Sequence, residues 1–458
     1  MKRKNVDMLS GPITKGLIAL TMPVMIMYIV QVLFNIVDMT VLRIFSDDGA
    51  VGAVGASGTL MTLCTSLLIG VSAGANVVVA KRIGLGNKER VNNAAMTAVL
   101  FSIVGGIILM IIGAVFAESF LKMINCPESL LPRATLYFKL YFYGVPLSML
   151  YNFCASILRA TGDTKRPMYF IIIGATIKLI FTILFVTLTD MDVEGVAIAT
   201  IICNLVISVL AFRTILKSDQ IHLDFKKIKF YAAELKEMLF IGIPSGAQTA
   251  MYSLANAVIV STVNTFGANA ATGLSIANQF DGLMYQIIYA PAVAAIPFVA
   301  QNIGAKNMDR VKKTVLRSIM ITSTLGLTIG SLFAIFSAEL SSIMSTTPEV
   351  IKYSQQKMVL VSSTYFLSGI NEIMGGVLKG MGKPIIPALS TMIFMCLIRF
   401  PWVKFIFPLL PQNLTFLYLI WPIGWILSII TLLIVYFPAI SKLQKTIVKE
   451  NLSTCLSN

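Results

Sequence analysis

Apolar runs of about 20 residues follow one another along the whole of this chain, each long enough to cross a bilayer as a helix. Twelve such spans are predicted, at 16–45, 52–78, 91–117, 134–158, 167–189, 195–216, 237–264, 271–299, 312–337, 353–378, 384–408 and 414–441. In hydrocarbon every backbone polar group needs an internal partner, so these runs read as helices. Of the 458 residues, 57% are hydrophobic and 12% charged. Soluble domains carry roughly 25% charged residues, which excludes that class here. The predicted fold class is an all-α integral membrane protein with twelve transmembrane helices.

The formal net charge of +15 would point to nucleic acid in a soluble protein. Here the basic residues sit in short gaps between apolar runs, so they read as topology signals. One side collects Lys2, Arg3, Lys4, Lys81, Arg82, Arg159, Lys306, Arg310 and Lys442, together with the charged segment between spans six and seven. The opposite side is relatively acidic, with Asp47, Asp48, Glu118, Glu128, Asp190 and Asp192. Both termini are therefore expected in the cytoplasm, with the chain multi-pass in a bacterial plasma membrane. The lipid bilayer is the expected partner, and nucleic acid is not. No secretory signal is apparent, because the first apolar run is of full membrane length and carries Asp38. The six cysteines are scattered and show no C-x-x-C, which speaks against a disulfide framework or a zinc site. The lone histidine, His222, is read as solvated.

An internal repeat organises the chain. Residues 17–23 (LIALTMP) align with 238–244 (MLFIGIP), and at the same offset Asn35 falls on Asn256. Gly84, Asn87 and Arg90 fall on Gly304, Asn307 and Arg310, and Pro167 falls on Pro387. Each half carries six spans, so both halves start on the same side of the membrane and are parallel repeats. The expected division is a six-helix lobe at 1–216, a cytoplasmic linker at 217–236 and a second, pseudo-symmetric six-helix lobe at 237–458. Such an arrangement suggests a transporter that binds its substrate between lobes.

Polar stripes on the apolar helices mark candidate residues. Tyr28, Gln31, Asn35 and Asp38 share one face of helix 1. An ionisable group at that depth is costly unless it serves an ion or substrate path. A carboxylate in low dielectric titrates at raised pH and can exchange a proton for a cation. Pro23, about four turns earlier, frees a backbone carbonyl and is the candidate hinge. In the second half the stripes are Gln248, Tyr252 and Asn256; then Asn278, Asp281 and Tyr285; then Tyr365, Ser368 and Glu372. Asp281 and Glu372 are candidates for holding a cationic substrate, against the alternative of structural pairs with Arg399 or Lys379. Tyr28 or Tyr252 would suit cation–π contact.

Together these elements resemble the MATE (multidrug and toxic compound extrusion) family. The resemblance rests on Pro23, the N35-I-V-D38 segment, G70-V-S-A-G74 with R82-I-G-L-G-N87, L158-R-A-T-G-D163 with its partner L378-K-G-M-G382, and G195-V-A-I-A-T200. It implies two six-helix bundles around a V-shaped cleft, rocking between inward- and outward-facing states. It also implies export of organic cations in exchange for H+ or Na+. One branch of the family couples through a helix-1 acid, which matches Asp38. That branch adds an Asn and an Asp on helix 5 and a Thr on helix 6. Here Lys178 and Thr182 stand at the helix-5 positions, while Thr200 keeps the helix-6 one. A lysine there could pair with Asp38 and take the space of a sodium ion. Arg399 is the pseudo-equivalent of Lys178 in the second half.

No Gly-Lys-Ser/Thr follows Gly84-Leu85-Gly86, so no phosphate loop or ATP-driven pump is expected. No hydrolase pair or metal cluster is legible, and the chain is not expected to be an enzyme. The expectation is a secondary exporter of amphipathic, cationic drugs or metabolites. It would be driven by H+ in preference to Na+, with no cofactor beyond the coupling ion, and would work as a monomer. The alternative is a flippase for lipid-linked or other anionic substrates of the same superfamily.

Overall fold

The structure is a computed structural model; it describes the backbone of 5–45, 48–124, 126–189, 191–223, 228–411 and 413–457. Side chains at 35–36, 38–39, 42–43, 45, 48–53, 55–56, 59, 62–63, 253–254 and 448–457 lie outside the described residues. Helices dominate the rest. In chain order they are α1 (Ile13–Phe45), α2 (Asp48–Gly84), α3 (Lys88–Met123), α4 (Leu131–Ala160), α5 (Lys165–Leu188), α6 (Val193–Leu216) and α7 (Ala232–Asn264). Then come α8 (Ala268–Gly304), α9 (Met308–Ile335), the short α10 (Ser337–Ser342), α11 (Pro348–Ser363) and α12 (Tyr365–Gly380). The next stretch is broken: α13 (Ile385–Thr391), a π-helical turn at Met392–Leu397, α14 (Arg399–Pro401) and a second π-helical turn at Trp402–Ile406. A short α15 (Leu414–Tyr418) precedes the long α16 (Ile420–Ser457).

Among the described residues nine helical stretches are long and apolar enough to cross a membrane. The predicted spans at 134–158 and 237–264 are helical but fall outside those nine and carry Lys139 and Gln248; the predicted span 353–378 is broken at Thr364 into two 16-residue helices, α11 with Lys357 and α12 with Glu372. The chain is a multi-pass membrane protein. Polar groups there find protein partners: Gln248 of α7 donates to Thr391 Oγ1, and Lys357 of α11 is buried.

The chain divides into two compact units; one division precedes α1, at Val6/Asp7, and two fall inside helices, at Thr21/Met22 and Gly246/Ala247. The first holds Met1–Val6 and Met22–Gly246; the second holds Asp7–Thr21 and Ala247–Asn458. The two cuts inside helices lie within one turn of a proline, Pro23 of α1 and Pro244 of α7. The expected boundary at 217–236 differs from this: that segment lies wholly within the first unit. Ile221 is fully buried there, the His222 amide donates to Asn92 Oδ1 at 2.8 Å, and the Tyr231 amide donates to Thr97 Oγ1 at 3.2 Å. Contacts of this kind tie a polar linker to one unit, which composition cannot show. The His222 side chain is exposed, in keeping with a solvated reading.

In the first unit small residues set the helix spacing. Gly70 and Gly74 of α2 meet Gly242 and Gly246 of α7 backbone to backbone. Close crossings of this kind are how helices associate in lipid, where dispersion and packing replace the hydrophobic drive. In the second unit α8 packs on α9, α11 and α12, and α12 packs on α16. Its core gathers Met284, Ile288, Tyr418, Trp421 and Trp425.

The repeat is also legible in the turns. Asn87 caps α3 by accepting from the Arg90 amide at 3.0 Å, and Asn307 caps α9 by accepting from the Arg310 amide at 3.1 Å. Satisfying an orphan amide of the first turn accounts for the Asn in both halves. Gly86 and Lys306, just before those caps, both have left-handed backbones, with φ of 70° and 57°.

Candidate functional site

Helix α1 carries Tyr28 and Gln31 half-buried, and Pro23 buried. Asn35 and Asp38 lie in the same helix, but their side chains fall outside the described residues. On α5, Thr182 is fully buried and its hydroxyl finds no hydrogen-bond partner among the described residues. Lys178, one turn earlier, is half-buried. Thr200 turns its hydroxyl onto its own helix, donating to the Val196 carbonyl at 2.8 Å. That bond occupies the Thr200 hydroxyl proton and leaves its oxygen able to accept or ligate.

The second unit brings its three predicted stripes together. Tyr252 of α7, Tyr285 and Tyr289 of α8 form a run of near-parallel rings, with centroids 6.4 Å and then 5.6 Å apart. The Tyr285 hydroxyl donates to Glu372 Oε1 at 3.4 Å. Among the described residues no cationic side chain lies within ion-pair distance of Glu372. The result is a carboxylate bonded to the middle ring of an aromatic row. Tyr365 donates to the Asp281 carbonyl at 3.3 Å, and Gln248 donates to Thr391 Oγ1 at 2.8 Å.

Asp281 is different. Its Oδ2 lies 2.5 Å from Lys357 Nζ, and the same ammonium donates to Asn278 Oδ1. Of the alternatives weighed for Asp281, a structural pair is what the geometry shows, but with a partner outside those considered. Lys357 is missing from the predicted site although it sits inside the predicted span 353–378, where an ionisable residue is itself a signal.

Arg399 is buried, at 1% exposure, between the two π-helical turns. Pro401 lacks a backbone N–H, so the helix cannot keep its regular bonds there. Such π-turns redirect side chains and occur often at functional sites. The guanidinium donates to Asn256 Oδ1 at 2.6 Å and lies over the rings of Tyr252 (5.4 Å) and Trp421 (5.1 Å). Lys357 Nζ lies 5.3 Å from the same Trp421 ring. Two cations on one indole are at most about 10 Å apart and repel by roughly 2 kcal/mol at an effective dielectric of ~20. Among the described residues Arg399 has no carboxylate within ion-pair distance. Trp421 carried no sequence signal, since an isolated tryptophan in an apolar run reads as core.

The MatE family profile matches residues 23–184 and again 244–406, once for each half of the repeat. The chain belongs to the MATE family. The family's duplicated pattern thus coincides with the alignment that places Pro23 on Pro244. Among curated relatives, "Probable multidrug resistance protein YoeA" of Bacillus subtilis is 25% identical over 80% of this chain and 81% of its own. A protein named "FAD transporter" from Shewanella oneidensis is 24% identical over 86% of this chain and 88% of its own. A solved outward-facing multidrug resistance MATE transporter shares the fold, with a TM-score of 0.88 at 21% identity, covering 97% of this chain and all of that one. The MATE fold has twelve spans, as the apolar runs predict.

Proposed function

We propose that the chain is a secondary active exporter of small amphipathic molecules, run by a cation gradient through alternating access, with H+ preferred over Na+. The observation that carries this reading is Glu372 bonded to the middle ring of the Tyr252–Tyr285–Tyr289 row, a carboxylate–aromatic site suited to a flat organic cation. Relatives named for multidrug resistance support it. Asp38 is the proposed coupling group, with Lys178, Thr182 and Thr200 around it and Pro23 as hinge. Both termini are placed in the cytoplasm and the chain in the plasma membrane by the distribution of Lys and Arg. A monomer suffices, no cofactor beyond the coupling ion is invoked, and no nucleic-acid partner is proposed. The test is ethidium transport by purified protein in proteoliposomes under an imposed pH or sodium gradient. Wild type should respond to the pH gradient, Asp38→Asn should lose that response, and Glu372→Gln should lose ethidium uptake. Undiminished gradient-driven transport by Asp38→Asn would remove the coupling assignment.

A second reading, export of anionic compounds, is favoured by one observation: Arg399 and Lys357 outnumber Asp281 around Trp421. The relative named as an FAD transporter fits that reading, since FAD is an aromatic anion.

A further inference from the structure

We infer that the Arg399–Trp421–Lys357 constellation of the second unit is a subsite for an anionic group, carboxylate or phosphate, borne on an aromatic or lipid body. The inference rests on the reading of the chain as an exporter of small amphipathic molecules and names a charge that its site accepts. Four observations converge. Arg399 and Lys357 are both nearly inaccessible, at 1% and 2% exposure, yet Asp281 is the one carboxylate paired with either among the described residues. A buried positive charge without a counter-ion is expensive, and a ligand oxyanion removes that cost. The Arg399 fork is built for such an oxyanion, because planar donors match carboxylate and phosphate oxygens in pairs.

The second observation is the backbone. Two π-helical turns flank Arg399, whereas the equivalent α5 in the first half is a regular helix. The irregularity is confined to the half that holds the basic pair. Third, Tyr418 is fully buried with its ring 5.8 Å from that of Trp421, and its hydroxyl has no hydrogen-bond partner among the described residues. A phenol left without an acceptor is a donor waiting for one. Fourth, the cluster is reachable: Tyr252 and Asp281 are half-buried, and Asn278, which accepts from Lys357, is exposed.

The anion's body would lie against Tyr252 and Trp421, the rings that flank the guanidinium. A soluble aromatic anion and an anionic lipid headgroup present the same chemistry to Arg399, so the experiment separates them. Detergent-purified full-length protein is titrated with carboxyfluorescein, a polyanionic aromatic dye, and binding is read by anisotropy. Saturable binding is expected for wild type, weakened tenfold or more in Arg399→Lys and in Lys357→Gln. Lys404→Gln, which removes an exposed cation outside the cluster, should bind the dye as wild type does. Quenching of tryptophan emission by the dye should fall in Trp421→Phe, which keeps the readout independent of whether Arg399 variants fold. Displacement of the dye by phosphatidylglycerol but not phosphatidylcholine assigns a lipid occupant; no displacement by either assigns a soluble one. Absence of saturable binding to wild type overturns the inference. So does unchanged affinity in folded Arg399→Lys and Lys357→Gln. Dye binding that persists in protein unable to move ethidium under any gradient sinks the exporter reading and leaves the subsite standing.

Discussion

Arg82 Nε donates to both carboxylate oxygens of Glu234, at 3.1 and 3.0 Å, with both side chains almost wholly buried. Its Nη2 also reaches Glu237 Oε2 at 2.6 Å, and Lys81 lies 2.8 Å from the other Glu237 oxygen. These bonds fasten the start of α7 to the end of α2 inside the first unit. Removing one member leaves a buried charge without its partner. Arg82→Gln should destabilise by about 3–5 kcal/mol. Glu234→Gln should cost less, because Glu237 remains. Thermal unfolding of the two variants in one detergent, ranked against wild type, checks the order; Glu234→Gln melting lower than Arg82→Gln would contradict it.

Further along the same crossing, α2 and α7 touch through glycine. A methyl group built on Gly70 would come within 2.2 Å of the Gly246 backbone, and one on Gly74 within 2.1 Å of the Met238 carbonyl. Gly70→Ala should therefore cost about 1–3 kcal/mol or more through overpacking. Gly282→Ala, where no described atom lies within 4 Å of the added carbon, is the control. Equal melting temperatures for the two alanine variants would refute the close crossing.

The buried Lys357–Asp281 pair makes a double-mutant prediction. Lys357→Met alone leaves Asp281 uncompensated and should lower stability by about 3–5 kcal/mol. Adding Asp281→Asn should restore much of that loss, giving a coupling of about 1–3 kcal/mol. Additive losses in the cycle would mean that the two side chains are not paired.

Ahead of α1, Asp7 folds into a small turn. Its carboxylate accepts from the Ser10 hydroxyl and from the amides of Ser10 and Leu9, both at 2.9 Å. The Ser10 side-chain bond, foremost, holds the carboxyl below its ordinary value of 3.8. A depressed folded pKa means the stabilisation is complete above the unfolded value and is lost as pH falls through the folded one. Ser10→Ala should bring the Asp7 titration, followed by NMR, back up toward the ordinary range. An unmoved titration would refute the assignment to that hydroxyl.

What was legible in the sequence follows from local physics. Apolar length declares the spans, and the lysine and arginine gaps suggest an orientation. The repeat shows itself in residues that turns demand, such as Asn87 and Asn307 as caps. Helical periodicity alone put Asn278, Asp281 and Tyr285 on one face and Tyr365 and Glu372 on another. It had no means of telling which faces meet.

Tertiary structure decided partners. Asp281 turned from a candidate for substrate into the mate of Lys357, because charge pairing depends on distances across helices remote in sequence. Glu372 gained a hydrogen bond from Tyr285. Arg399 became the centre of an aromatic and basic cluster because two π-turns redirect its helix, and a linear pattern of apolar residues does not encode that irregularity. Helix existence and topology are set by transfer free energy summed along the chain, whereas electrostatic function is set by which few groups finally approach within a few ångströms.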